Sequence, residues 1–271
     1  MTRVTIVGAA GRMGRMLVQE VTNTPELTLV GALESEQCPF LGTDASQLAG
    51  LPASGVKITA DTDVALQKAD CVVDFTFAAA TRTLAPKVAE KGAAMVIGST
   101  GLTAEDIKLL DDLAAKGARI VQSPNMSVGV NLLFALCAQV APLLGDAYDI
   151  EVVEMHHNQK KDAPSGTAEK LGQILAKARG LNYDTDTRHG RVGLVGARTK
   201  NEIGMHSLRG GDVVGDHTVI FATDGERIEL THKASSRQTF AKGAMRAVKF
   251  LATAQPGRYD MQDVLGLRYN L

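Results

Sequence analysis

The sequence predicts an α/β protein, with a Rossmann-type parallel sheet domain and a second α+β domain built on a mixed sheet. Three observations carry this reading. The β-branched run over residues 3–7 leads straight into Gly8, Gly11 and Gly14 and then an amphipathic stretch, the strand, glycine turn and helix of a dinucleotide fingerprint. Strand-like and helical segments then alternate as far as Val121, as they do in parallel sheets. After Gly190 several β-like segments follow with few helices, which marks a second sheet of different organisation.

In chain order, the first strand ends in Gly8-Ala-Ala-Gly11-Arg-Met-Gly14, with Ala10 where the usual pattern often has another glycine. Small residues there let a backbone approach a pyrophosphate, and the N-terminus of a helix over 12–22 favours its charge. The strand Leu27–Leu33 ends at Glu34, 20 residues past Gly14, where this fold places an acid that binds the adenosine ribose hydroxyls. Residues 35–61 read as loop, broken by Pro39, Gly42, Gly50, Pro52 and Gly55. Strands return at 71–75 and 94–98, with a helix over 81–91 between them and another from about Thr103. Ligands of open parallel sheets lie at strand carboxyl ends, so the loops after Phe75 and at Gly98 should face a cofactor. Ile120 and Val121 open one more strand.

Ser127 is an N-cap for a long apolar helix, Val128–Leu144. A β-branched strand over 148–155 and a helix over 168–179 follow, then a polar, turn-rich stretch over 182–190. Strands are expected at 192–197, Ile203–Arg209, 217–223 and 227–232, the last two joined by Asp224-Gly225, a two-residue hairpin signal. Residues 239–253 are helical again, with Phe240, Ala244, Val248 and Leu251 in register, and are expected to pack back on the first domain.

Composition narrows the function. The 271 residues suffice for two domains with sizeable cores. With 29 Lys and Arg against 30 Asp and Glu the net charge is −1, which argues against nucleic acid or an anionic membrane as partner. Aromatics at 4% with no Trp leave no base-stacking platform. The most apolar stretch, 132–144, reads as too short to span a bilayer and carries Gln139 and Pro142. Cys38, Cys71 and Cys137 are odd in number, well separated and in apolar runs; they read as reduced core thiols of a cytoplasmic protein. The short apolar run after Arg3 breaks at once into glycines, unlike a signal peptide.

The chemistry concentrates in Glu154-Met-His-His-Asn-Gln-Lys-Lys-Asp-Ala-Pro-Ser-Gly-Thr-Ala168. This stretch leaves a strand end with His156, His157, Lys160 and Lys161 and enters a helix announced by Asp162, Pro164, Ser165, Gly166 and Thr167. Imidazole, ammonium and helix N-terminal N–H groups together suit a small anionic substrate that also needs a proton. Adjacent histidines with no nearby Cys are poorly spaced for a metal, so none is expected. A solvated loop before an ordinary helix cap uses the same residue types. Beside a dinucleotide fingerprint, however, they read as the active site of a reductase acting on a small anion.

Glu154-x-His-His-x-x-Lys-x-Asp-Ala-Pro-Ser-Gly-Thr-Ala resembles the signature of the dihydrodipicolinate reductase (4-hydroxy-tetrahydrodipicolinate reductase) family of diaminopimelate and lysine biosynthesis. The resemblance covers essentially the whole chain, through Gly8 to Gly14, Asp74-Phe-Thr76, Val96 to Gly101, Asn125 to Asn131, Arg209 to His217 and Thr231 to Arg237. It implies a reductase delivering hydride from NAD(P)H to C4 of the dehydrated form of 4-hydroxy-tetrahydrodipicolinate, giving tetrahydrodipicolinate. It implies His156 as the proton-transferring histidine and Lys160 as the catalytic lysine, with His157, Gly166 and Thr167 binding a small dicarboxylate. It implies cofactor contacts at Gly8, Ala9, Ala10, Gly11, Arg12, Met13, Glu34, Gly98, Ser99, Thr100, Ser123, Pro124, Asn125 and Met126. Residues 1–126 and 237–271 would form the dinucleotide-binding domain, and 127–236 the substrate-binding domain, whose sheets hold a homotetramer together.

Some positions depart from the family pattern. Ser35 follows Glu34 where many members carry Arg, Phe77 replaces a frequently polar or basic residue, and Met126 stands where an aromatic is common. Glu34 repels a 2′-phosphate and Ser35 offers it no positive charge, so NADH is expected to be preferred, with NADPH still usable. Two other readings stand beside this one. Another amino-acid-pathway dehydrogenase on the same scaffold, such as an aspartate dehydrogenase, should lack the His-His-x-x-Lys signature. A non-catalytic dinucleotide sensor should bind NADH without turnover.

Overall fold

The computed structural model describes residues 1–268, which divide into two compact units: Met1–Val128 with the chain from Gln238 onward, and Gly129–Arg237. Residues 269–271, the end of the expected first domain, lie outside the described residues.

The first unit starts with β1 (Thr2–Val7), α1 (Arg12–Asn23) and β2 (Leu27–Leu33). It continues with α2 (Ala45–Leu48), β3 (Ile58–Thr59), α3 (Thr62–Leu66), β4 (Cys71–Asp74) and α4 (Ala78–Glu90). Then come β5 (Ala94–Ile97), α5 (Ala104–Ala115) and β6 (Arg119–Gln122). The second unit holds α6 (Val128–Leu144), β7 (Asp149–His156), α7 (Gly166–Ala178) and α8 (Tyr183–Asp186). Its last strands are β8 (Thr187–His189), β9 (Ile203–Arg209), β10 (Gly215–Thr223) and β11 (Glu226–Ala234). The chain returns to the first unit with α9 (Gln238–Leu251), β12 (Gly257–Tyr259) and α10 (Met261–Val264).

The first sheet is wholly parallel, in the order β12-β6-β5-β4-β1-β2-β3. Both of its faces are covered, which is why β4 and β5 are buried at every position and read as continuous apolar runs. One cluster packs Leu17 and Val18 of α1 and Ala244 and Val248 of α9 against Val4, Ile6 and Val73. Another packs Leu84, Val88 and Leu110 of α4 and α5 against Val72, Met95 and Ile97. Strand order reverses between β1 and β4, and in such sheets the crevice for ligands opens at the carboxyl ends there.

The second sheet is mixed, in the order β11-β10-β7-β9-β8; β10 runs antiparallel to both neighbours, while β7, β9 and β8 are parallel. Along β7, Ile150, Val152, Glu154 and His156 are buried while the residues between them are half-exposed, the period-two alternation of a sheet covered on one face. Val130 and Phe134 of α6 and Leu171 and Leu175 of α7 pack with Ile150, Val152, Val219 and Phe221.

Several sequence expectations change. The expected loop over 35–61 contains α2, capped by Asp44 accepting from the N–H groups of Ser46 and Gln47, and the two-residue β3; α8 and β8 likewise occupy 182–190. All are too short to leave a periodic signal. The segment 192–197 is not a strand: Gly193 and Gly196 turn the backbone to φ of 75° and 77°, and Val192 and Leu194 stand fully in solvent. The apolar run at α6 continues through Ala147, 20 residues that are long and apolar enough by themselves to cross a membrane; its inward residues form the second core. Cys71 and Cys137 are buried, but Cys38 is only partly so.

Candidate active site

His156 ends β7, and Glu154, two residues earlier, shares its face of the sheet. Glu154 is 1% exposed, and its Oε2 accepts from His156 Nδ1 at 2.6 Å and from Arg209 Nη1 at 2.9 Å. Its Oε1 accepts from Arg209 Nη2 at 3.0 Å and from the Ser165 N–H at 3.2 Å. Burial pushes the Glu154 carboxyl upward, but hydrogen bonds from His156 and Arg209 outweigh it and hold the pKa at about 2. An ionised carboxylate only accepts, so His156 donates through Nδ1–H and keeps Nε2 for chemistry. That nitrogen lies beside Gly215, where a Cβ would come within 3.0 Å of it.

His217 stands edge-on to His156, ring centroids 5.2 Å apart. Burial, then the neighbouring His156, pushes its pKa down to about 3, so it is neutral. Its Nε2 shares a 3.2 Å hydrogen bond with Ser165 Oγ, and Ser165 is the N-cap of α7, accepting from the Ala168 N–H.

The loop from β7 to α7 is fastened at its start to the residues that follow β9. Gly210 N–H donates to the His156 carbonyl at 2.9 Å, and Asn158 N–H to the Gly211 carbonyl at 3.1 Å. The Lys160 N–H closes a turn onto the His157 carbonyl, and Lys160 Nζ pairs with Asp162 at 2.8 and 2.9 Å. A Cβ on Gly166 would meet nothing within 4 Å, so the first residue of α7 has open space beside it. One short segment thus carries His156, His157, Lys160, Gly166 and Thr167. Among the described residues, no group of three or more His, Cys, Asp or Glu side chains is arranged to hold a metal.

The expected cofactor residues lie in the first unit, in the loops that follow β1, β2, β5 and β6 and, for Arg12 and Met13, in the first turn of α1. Gly8 has φ of 70°, and Gly11, the N-cap of α1, makes no side-chain capping hydrogen bond, so no capping side chain occupies that helix end. Ala10 N–H donates to Glu34 Oε1 at 2.9 Å, and Ser35 N–H donates to Oε2 at 3.1 Å. At Gly98 a Cβ would lie 2.5 Å from the Phe75 ring. Ser99 is buried, with its hydroxyl 3.1 Å from that of Thr81, which in turn donates to Asp74 at 2.6 Å. Ser123 Oγ donates to the Asn125 carbonyl at 2.9 Å, and the Met126 side chain is part of the core. Ser99, Ser123 and Met126 therefore turn their side chains inward, leaving mainly backbone for a ligand. Arg12 is exposed, whereas Arg15 donates to the Ala10 carbonyl at 2.9 Å and lies over the Phe40 ring. Glycines without a Cβ, a helix N-terminus and an acid ending β2 fit a dinucleotide.

Family models for the N-terminus and the C-terminus of dihydrodipicolinate reductase match residues 2–126 and 129–265. The chain belongs to the dihydrodipicolinate reductase family. It is 48% identical over 268 residues to the 4-hydroxy-tetrahydrodipicolinate reductase of Syntrophotalea carbinolica, spanning 99% of this chain and 100% of that one. It is 51% identical over 268 residues to the enzyme of the same name from Anaeromyxobacter dehalogenans, spanning 99% of each. Among solved structures, the dipicolinate-bound dihydrodipicolinate reductase from Paenisporosarcina sp. TG-14 is similar with a TM-score of 0.76 and 27% identity, over 97% of this chain and 98% of that one.

The sequence reading left Glu154, Arg209, Ser165 and His217 without roles at the site. Glu154 could have been found from its spacing, since positions two apart on a strand share a face. Arg209 and His217 could not, because they reach the site only through the pairing of β9 and β10 with β7, which sets Arg209 beside His156 and His217 beside Glu154.

Proposed function

We propose that this chain reduces the dehydrated form of 4-hydroxy-tetrahydrodipicolinate at C4, giving tetrahydrodipicolinate. The observation that carries the reading is His156, held through Nδ1 by an anionic Glu154 on the segment that also bears Lys160 and the start of α7. A reduced nicotinamide dinucleotide, held by Gly8 to Met13, Glu34 and the Gly98 and Ser123 loops, supplies the hydride when bound. Reduction at C4 drives electron density toward the ring nitrogen. His156 transfers a proton from Nε2, and the Lys160 ammonium offsets the charge that develops. One substrate carboxylate is taken by the N–H groups of Gly166 and Thr167 at the positive end of α7, with His157 as a further contact. The dipicolinate in the Paenisporosarcina relative is a ring with two carboxylates and supports this substrate class.

The same reading takes NADH as the preferred reductant, because the Glu34 carboxylate stands at the glycine loop and Ser35 brings no counter-charge. It takes the enzyme as a cytoplasmic homotetramer. The three free cysteines fit a reducing compartment. The face of the second sheet opposite its helices carries half-exposed Val153, Met155 and Ile220 and the exposed Leu208. Sedimentation equilibrium reads the subunit count directly.

The decisive experiment is NADH oxidation with the freshly made condensation product of aspartate semialdehyde and pyruvate. His156→Gln should lower kcat about 10²–10⁴-fold with NADH affinity unchanged. Lys160→Ala should lower kcat and raise the substrate KM. Near-normal turnover in both variants defeats the assignment.

A further inference from the structure

We propose that Arg209 and Glu154 form a positioning pair that presents His156 to substrate through Nε2 and holds the carboxylate-binding end of α7 in register with it. The inference rests on the reading of His156 as proton donor.

The Glu154 carboxylate receives hydrogen bonds from three separate parts of the second unit. His156 donates from β7, Arg209 from the end of β9, and the Ser165 N–H from the N-cap of α7. Arg209 extends the same lattice, with Nη2 donating to the Asp162 carbonyl at 2.7 Å and Nη1 to the Leu208 carbonyl at 2.6 Å. The proton donor, the segment bearing Lys160 and the carboxylate-binding helix end are therefore set against one another by a single ion pair.

The charge arrangement also suits a donor that must cycle. A carboxylate 1% exposed needs a permanent counter-charge, since an isolated buried ion is costly. If His156 were its only cation, losing the proton would strand the carboxylate, and transfer would be opposed. A guanidinium gripping both oxygens compensates Glu154 in either state of His156. A lysine, a point charge without the planar fork, cannot give Glu154 two parallel bonds from separate nitrogens while also reaching the Asp162 carbonyl.

The test uses the full-length protein with ¹⁵N-labelled histidine, and the His156 resonances are assigned by their loss in His156→Gln. In the wild type His156 should show a low-field Nδ1–H proton and a non-protonated Nε2 in its neutral form. Glu154→Gln should weaken or lose that low-field signal and lower kcat about 10–100-fold, the value of one charge-assisted hydrogen bond. The NADH dissociation constant should stay unchanged, and Glu154→Asp should recover part of both losses. Arg209→Lys keeps the carboxylate and should lower kcat and raise the substrate KM together. A folded Glu154→Gln variant with wild-type kcat or an intact Nδ1–H signal overturns the proposal. If that variant does not fold, Arg209→Lys decides alone, and wild-type kcat and KM there overturn it too. Should His156→Gln itself turn over normally, the functional reading fails; should it be impaired while the Glu154 and Arg209 variants behave as wild type, only the positioning pair fails.

Discussion

A Cβ on Gly14 would stand 2.0 Å from the carbonyl oxygen of Gly8, so the first turn of α1 rests directly on the loop that ends β1. Only hydrogen fits there, and this contact aims the start of α1 across the carboxyl end of β1. The obstacle is backbone, which cannot rotate away as a side chain can. Gly14→Ala should therefore push the helix off the loop, destabilising the fold by about 3 kcal/mol and weakening NADH binding together. Thermal melting and a fluorescence titration with NADH measure the two effects, and wild-type binding in the variant would contradict the contact.

Acid should loosen the second unit before carboxylates titrate. His217 has its pKa pushed from 6.5 to about 3, first by burial and then by His156, and burial lowers that of His232 as well. Between those values the unfolded chain takes up a proton that the folded chain refuses, so stability is full above pH 6.5 and falls as pH drops through this window. His217 alone contributes a slope of about 1.4 kcal/mol per pH unit. Below about 4.5, Glu154 adds to the loss in the same direction, because its pKa is lowered from 4.5 to about 2. The expected result is a melting temperature that declines between pH 7 and 5, with His217→Gln flattening the decline. An equally steep slope in that variant removes His217 from the account.

Legibility followed the range over which each signal acts. The strand Leu27–Leu33 and the helix Val128–Leu144 were read to the residue, because each is a long, clearly patterned run. The two residues of β3 carry no period and are strand only because they pair with Ala32 and Leu33. Val192 to Ala197 have strand-like composition, but two glycines at positive φ prevent extension. A Cβ on Gly243 would lie 1.7 Å from the Met126 carbonyl and one on Gly129 would lie 2.6 Å from the His232 ring, so close packing requires glycine at both, a demand no local pattern announces. The candidate site's loop stands out in the sequence because its chemistry is contiguous, whereas Arg209 and His217 join it only through strand register.

The start of α7 offers a separate test. Gly166 begins the helix, and a Cβ there touches no protein atom. Gly166→Ala should leave stability within about 1 kcal/mol of wild type, since Ala is the better helix former. The added methyl would enter the space assigned to a substrate carboxylate. The substrate KM should rise about tenfold, equivalent to about 1.4 kcal/mol, with kcat changing much less. An unchanged KM would place the carboxylate elsewhere.

Cofactor choice turns on the end of β2. Glu34 is fastened by the N–H groups of Ala10 and Ser35, so its negative charge is held at the glycine loop. A 2′-phosphate brought there meets that charge, and Ser35 offers a hydroxyl and no cation. Arg15 is not free to help, since its guanidinium donates to the Ala10 carbonyl and stacks 5.3 Å from the Phe40 ring centroid. Arg12 is exposed at the first position of α1 and makes no ion pair among the described residues, so it is the remaining cation of this loop. A charge-assisted hydrogen bond contributes about 1.5–3 kcal/mol, so the missing arginine corresponds to about tenfold or more in NADPH affinity. NADH should therefore give the higher kcat/KM, and Ser35→Arg should raise kcat/KM for NADPH by about tenfold while leaving NADH nearly unchanged. Arg12→Ala should then lower the residual NADPH activity of the wild type more than its NADH activity. A wild type that favours NADPH, and loses that preference in Arg12→Ala, would assign the phosphate to Arg12 and reverse the reading of Ser35.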